Sequence, residues 1–128
     1  MNTMIKMVVV INEENGTRYD GYARNGVWTG RGEFVDRKNK VYYNGQWKNG
    51  EISGIGTIRN YLTGLQFNGE FANNQMVRGT MRWENGAEYI GEFVNNEMHG
   101  MGKFTWPNGT TYVGLFKNGQ LNNSIVSC

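Results

Sequence analysis

Apolar and polar positions alternate along this chain in short stretches, each closed by asparagine or glycine. In "YIGEFVNNEMHGMGKF", residues 89 to 104, an aromatic, a glycine and an aromatic stand at alternate places, a polar turn follows, and two glycines again alternate. Period two predicts β-strands with one apolar face. Asn-Gly and Asn-Asn between the stretches predict two-residue hairpin turns, because these residues adopt φ > 0. Glycine inside the strands needs a reason, since it packs nothing and weakens pairing.

The reason lies in repetition. Tyr19-Asp-Gly21, Tyr43-Asn-Gly45, Phe67-Asn-Gly69, Tyr89-Ile-Gly91 and Tyr112-Val-Gly114 open five copies with a period of about 23 residues. Most copies carry an aromatic two places after the glycine (Trp47, Phe71, Phe93, Phe116), and all reach a turn at Asn25-Gly26, Asn49-Gly50, Asn73-Asn74, Asn95-Asn96 or Asn118-Gly119. If Asn49-Gly50 is a two-residue turn, Trp47 faces Ile52, Gly45 faces Gly54 and Tyr43 faces Gly56. Large rings then cover bare backbone, and the glycines act as sockets. The first copy has Ala23 at the second aromatic position, and its expected cross-strand partner is Trp28, so volume moves across the pair.

Further turns at Glu14-Asn15-Gly16, Glu84-Asn85-Gly86 and Pro107-Asn108-Gly109 separate the copies. Residues 7 to 11, "MVVVI", then form a second strand without its first. The third copy, "FANNQMVRGTMRW", has one residue more between its turn and Gly79 than the other copies have before their first glycine, which predicts an altered turn or a bulge. The link "RNYLTGLQ" is also atypical and carries apolar residues that read as exposed.

Laid out as "YIGEFVNNEMHGMGKFTWPNGTTY", the repeat resembles that of MORN-repeat (membrane occupation and recognition nexus) proteins: Tyr-x-Gly-x-aromatic, a turn, Gly-x-Gly, and a strand ending near Asp/Asn-Gly. The resemblance runs from about Tyr19 to Leu121, with departures at Ala23, in the third copy, and at Asn74 and Asn96 where glycine is usual. It implies an all-β fold, a single elongated antiparallel sheet of stacked hairpins curved so that the aromatic-glycine face forms a groove. One array would fill the chain: a half repeat at 7–18, repeats at 19–42, 43–66, 67–88 and 89–111, a partial repeat at 112–121 and a tail at 122–128. Ten or so strands at about 4.8 Å spacing would make it about 45 to 50 Å long. The resemblance also implies a non-catalytic scaffold in a cytoskeletal, ciliary or other multiprotein assembly. Relatives bind a partner's peptide in the groove, self-associate through an array end, and have been credited with phospholipid binding.

Composition fits that picture. A chain of 128 residues suits one domain, and 19 glycines against one proline, with four Trp, seven Tyr and six Phe, describe a turn-rich β protein rather than disorder. The net charge of +2 names no partner, although Arg24, Arg31, Arg37, Lys38 and Lys40 make the first third basic. Cys128 is the only cysteine, so no intrachain disulfide forms and an intracellular, cytoplasmic address is expected. No apolar run approaches the length of about 18 residues that a membrane helix needs.

Catalysis finds no constellation. His99 is the only histidine and has no second ligand for zinc, and no nucleophile elbow or phosphate loop is present. Neither an enzyme nor a cofactor is expected. The residues expected to line a peptide groove are Trp47, Phe67, Phe71, Tyr89, Phe93, Tyr112 and Phe116. Anionic membrane is the alternative partner, through Arg24, Arg31, Arg37, Lys38 and Lys40. Nucleic acid is disfavoured because the basic residues do not follow the aromatic stripe. Val8, Val9, Val10 and Ile11 mark an unpaired assembly edge open to a second copy or another subunit's strand, unless Met1 to Lys6 fold back as a cap; "LNNSIVSC" is expected to cap the other end.

Overall fold

Each alternating stretch becomes a strand, and each asparagine turn reverses the chain. The computed structural model describes residues 4–122. Its strands are β1 (Ile5–Asn12), β2 (Thr17–Arg24), β3 (Val27–Asp36), β4 (Val41–Lys48), β5 (Glu51–Asn60), β6 (Leu65–Ala72), β7 (Gln75–Arg82), β8 (Glu88–Val94), β9 (Glu97–Thr105), β10 (Thr111–Lys117) and β11 (Gln120–Leu121). They lie side by side in chain order as one open antiparallel sheet. Asn25, Asn49, Asn73, Asn95 and Asn118 have φ of 50° to 53°, and the residue after each is also positive, the geometry of type I′ hairpins. The segment 7 to 11 lies within β1, which pairs with β2 from Ile5 to Asn12. Ile5 and Lys6 extend that strand and do not fold back over it. The expected cap "LNNSIVSC" lies, from residue 123 onward, outside the described residues.

The expected register holds next to the turn and fails beyond it. Lys48 faces Glu51 and Trp47 faces Ile52, but Gly45 then pairs with Gly56, and Tyr43 with Ile58. Ser53, Gly54 and Ile55 together oppose the single residue Gln46. The first and fourth copies do the same, with Tyr22 and Glu92 as the single residues. Gly30, Gly54 and Gly100 sit inside these bulges with φ of 68°, 101° and 72°, a conformation that costs other residues. The bulge expected in the third copy is present but narrow: Gly69 pairs with Gly79 and Phe71 with Met76, leaving only Val77 as the extra residue, so that counted to its paired glycine this copy is one residue shorter than the others. It lacks the bulge glycine, and Gly79 is the counterpart of Gly56.

The glycine pairs are sockets, though each takes the ring two residues before its first-strand glycine, lying across both strands, rather than a ring directly opposite. A Cβ on Gly56 would stand 2.6 Å from Tyr43 Cε1, and one on Gly102 2.6 Å from Tyr89 Oη. Each tyrosine lies over the glycine pair and donates its hydroxyl to the carbonyl of the residue facing the bulge. Tyr19 reaches Tyr22 O at 2.7 Å, Tyr43 reaches Gln46 O at 2.9 Å and Tyr89 reaches Glu92 O at 2.8 Å. The bulge interrupts the ladder at those residues, and the phenol supplies a donor there.

A one-layer sheet can still bury a core if its rings cover one another. Starting from Tyr19, the rings of Trp47, Tyr43, Phe71, Phe67, Phe93, Tyr89, Phe116 and Tyr112 meet in an unbroken series. Successive centroids are 4.9 to 5.5 Å apart and successive planes are tilted by 77° to 90°. Edge-to-face contacts of this kind add about 1 kcal/mol each beyond area burial. In the first copy Ala23 does pair with Trp28, which stacks on Tyr19 at 4.1 Å and meets Trp47 edge-on. Trp28 thus fills the place of the missing ring.

Candidate functional site

Six of the seven residues expected to line the groove are core. Phe67 is 1% exposed, and Trp47, Phe71, Tyr89, Phe93 and Phe116 are all under 7%; Tyr112 is half-buried. Each ring covers the next, so what this ring-bearing face, hereafter the inner face, leaves open is the half-buried side chains of the second strands. Periodicity placed these rings on one face but could not tell a ring that stays open from one that its neighbours cover.

Those second-strand residues vary along the array. Trp28 and Phe34 crowd one end beside Trp47, and Trp83, Phe104 and Trp106 form a cluster toward the other. Between them the equivalent residues are aliphatic: Ile52, Ile58, Met76 and Met81. The smaller side chains leave a hollow of about 260 Å³, lined by these four with Val41, Leu65, Phe67 and Phe71. Asn60, Asn74 and Asn96 complete its lining.

Asn74 and Asn96 stand at the second turn position, where other copies have glycine. Each carboxamide oxygen accepts a hydrogen bond from the preceding hairpin, from Ile52 N at 2.8 Å and from Met76 N at 3.0 Å. Asn74 N also donates to Ile52 O at 2.9 Å. Among the described residues neither Nδ2 has a partner. The departure from glycine therefore gives an apolar hollow two amide donors at its border, a role the sequence reading did not assign.

The basic residues do not form one patch. Arg37, Lys38 and Lys40 share the β3–β4 turn, Arg24 lies at the far end of β2, and Arg31 lies in mid-strand opposite Gln46. An eight-residue strand separates the two ends by about 25 Å. The β3–β4 turn does gain neighbours from the atypical link. Tyr61 N donates to Lys40 O at 2.8 Å, Arg59 lies over the Tyr61 ring at 5.5 Å, and Tyr61 and Leu62 are 61% and 69% exposed. Their exposure was signalled by "RNYLTGLQ"; their place beside Lys40 was not. Lys38 Nζ donates to Glu14 O in the neighbouring turn.

Titration follows packing. Burial pushes the Tyr43 phenol up to about 12 and raises Tyr19 and Tyr89 as well. Tyr42 is raised first by its hydrogen bond to Glu33, and Asp36 is lowered by hydrogen bonds from Asn39. His99 is half-buried opposite Glu92. Among the described residues no group of three or more His, Cys, Asp or Glu is arranged to hold a metal ion, and no helix is long and apolar enough to cross a membrane. A family model described as the MORN repeat matches residues 43–59, 67–88 and 89–111. Comparison with curated proteins gives no match.

Proposed function

The chain belongs to the MORN-repeat family, a non-catalytic repeat type found in scaffold and membrane-binding proteins, and from that premise we propose that it is a scaffold without enzymatic activity whose inner face holds an extended peptide of a partner. The observation that carries this reading is the hollow. An apolar floor about 260 Å³ in volume suits one large aliphatic or aromatic side chain, and the Asn74 and Asn96 amides suit the carbonyls of the strand that bears it. The setting is a multiprotein assembly inside the cell, of a cytoskeletal or ciliary kind. Selection from a displayed library of random peptides tests the idea. Enriched sequences should share one apolar anchor and lose binding when Val41, at the border of the hollow, becomes glutamate. No enrichment, or enrichment indifferent to Val41→Glu, would sink it.

A second reading has its own observation, the exposed Tyr61 and Leu62 beside Arg37, Lys38, Lys40 and Arg59. Basic residues around exposed amphipathic ones suit an anionic bilayer surface. Co-sedimentation with vesicles containing phosphatidylserine should be weak and vanish at moderate salt. Tight binding that survives salt and fails in Tyr61→Ser/Leu62→Ser would put the membrane ahead of the peptide.

A further inference from the structure

Asparagine followed by glycine is chemically labile, because the unhindered glycine nitrogen can close on the neighbouring carboxamide. A carbonyl that holds the glycine N–H, or a ladder that fixes the backbone, opposes that closure. The chain contains eight such pairs, and seven are restrained. Gly45 and Gly69 lie in interior strands paired on both sides. In the turns between copies Gly16 N donates to Asn12 O at 2.9 Å, Gly86 N to Trp83 O at 3.0 Å and Gly109 N to Trp106 O at 2.8 Å. The carboxamide oxygens of Asn85 and Asn108 are occupied as well, each accepting at 2.9 Å from the N–H of Ala87 and of Thr110. In the hairpin turns Gly50 N reaches Trp28 O at 2.9 Å and Gly119 N reaches Met98 O at 3.1 Å, so each turn is held by the hairpin before it.

The eighth pair, Asn25-Gly26, has the same type I′ geometry without that restraint. On this side of the turn lies β1, whose pairing with β2 ends at Ile5 opposite Arg24, and the turn falls just beyond. Among the described residues neither Gly26 N nor the Asn25 carboxamide has a hydrogen-bond partner. Asn25 is exposed, and a side chain on Gly26 would meet nothing within 4 Å. Beside both residues Met4, Lys6, Val8 and Ala23 leave a hollow with room for water.

We propose that Asn25-Gly26 is a site of spontaneous backbone modification, at which the native protein loses ammonia and gains aspartate or isoaspartate ahead of every other Asn-Gly pair. Gly26 N gives its proton to solvent base and bonds to Asn25 Cγ, the Cγ–Nδ2 bond breaks, and the nitrogen leaves as ammonia. Water then opens the cyclic imide at either carbonyl, and opening at the main-chain carbonyl leaves isoaspartate. Both products add a negative charge next to Arg24. Isoaspartate also adds one carbon to the backbone of a two-residue turn, which β2 and β3 accommodate by loosening the nearest pairs, Arg24 with Val27 and Ala23 with Trp28. Modification therefore reaches the ring that stacks on Tyr19. None of this depends on what the inner face binds.

Peptide mapping by mass, after incubation of the full chain in mildly alkaline buffer with and without urea, tests the proposal. Asn49-Gly50 is the internal control, since it has the same dipeptide, the same turn and a basic residue before it. In native protein Asn25 should convert at least about fivefold faster than Asn49, the factor that one hydrogen bond on Gly50 N is worth. In urea, where the hairpins no longer hold one another, the two rates should become similar. Asn25→Asp, which suits the same turn, should abolish the fast phase of ammonia release. Amide exchange at Trp28 should be faster in the isoaspartyl fraction than in Asn25→Asp, and equal exchange would refute the loosening. Equal native rates at Asn25 and Asn49, another pair that converts first, or a preference for Asn25 that persists in urea would each overturn the proposal.

Discussion

Around their glycine pairs the second and third copies differ by one backbone residue in the bulge and one oxygen atom on the covering ring, and the two differences belong together. In the second, Ser53, Gly54 and Ile55 oppose Gln46, and the Tyr43 hydroxyl donates to the Gln46 carbonyl at 2.9 Å. In the third, Val77 alone is extra, the ring over the glycine pair is Phe67, and no hydroxyl reaches into the bulge. The wide bulge disturbs the ladder and the phenol compensates; the narrow bulge asks for less and makes do with a bare ring. The neighbouring aliphatic residues at 52, 58, 76 and 81 leave the hollow at this junction. An irregular copy thus marks the place where the array departs from a uniform packed face.

The largest effect is expected where both copies agree. Gly56→Ala would drive a methyl group to 2.6 Å from Tyr43 Cε1, and Gly79→Ala to 2.8 Å from Phe67 Cζ. Gly56 also faces Gly45 backbone, so neither neighbour yields easily, and each substitution should cost about 3 kcal/mol or more. Urea titration measures this, and a cost under about 1 kcal/mol at either site would mean that the sockets are loose.

Next in size is the hydroxyl. Tyr43→Phe removes the donor at Gln46 O and should cost about 1 to 2 kcal/mol, because the carbonyl is left without that partner. Phe67→Tyr should gain nothing by itself. Joined to a glycine inserted between Val77 and Arg78, which recreates the spacing of Ser53-Gly54-Ile55, the same tyrosine should become stabilising. If Phe67→Tyr stabilises without the insertion, the hydroxyl and the bulge are not coupled.

The tyrosines also set an alkaline limit. Ionisation of Tyr19, Tyr43 and Tyr89 is opposed by burial, with Tyr43 raised to about 12, whereas an unfolded tyrosine ionises near about 10. Above about pH 10 the unfolded chain therefore holds fewer protons than the native one, and stability falls as pH rises toward 12. Stability contributed by the neutral phenols is complete below pH 10. Tyrosinate absorbance and far-ultraviolet signal should change together over that interval in the parent chain, with a shallower slope in Tyr43→Phe. Full ionisation of all seven tyrosines in a still-folded sheet would contradict the burial.

The smallest effect belongs to the turns. Asn74→Gly loses the hydrogen bond to Ile52 N, but relieves an asparagine held at φ 67°. The net cost should be under about 1 kcal/mol. Peptide binding would suffer more than stability, because one of the two amide donors beside the hollow is gone. Loss of stability without loss of binding would reverse that assignment.

Turn positions and strand faces were legible because they are local. Asparagine adopts positive φ by its own preference, and period two assigns faces without knowledge of any partner. The exchange between Ala23 and Trp28 was legible too, since it lies only two pairs from a turn of known type. Beyond the bulge this reasoning lost count. Gly54 and Gly56 alternate in sequence as if on one ladder, yet Gly54 is in register with Phe71 of β6 on one side and has no counterpart on β4.

The sequence by itself determined a repeating antiparallel sheet, its hairpin turns, the face that carries rings, and an apolar strand at its start. The turns, the faces and the first strand follow from residues fewer than ten apart, and the repetition from a period of about 23 residues. Tertiary structure decided what long-range contact alone can decide: that the rings bury one another, that the basic residues divide between two ends of the strands, and that Tyr61 lies against Lys40. It also decided that the hollow falls where four aliphatic residues from β5 and β7 meet. Those on β5 are at least 18 residues from those on β7 in sequence. The physical reason is that a ring's exposure depends on the rings beside it, and in this array every second one comes from the neighbouring copy, as Phe71 meets Tyr43 and Phe116 meets Tyr89.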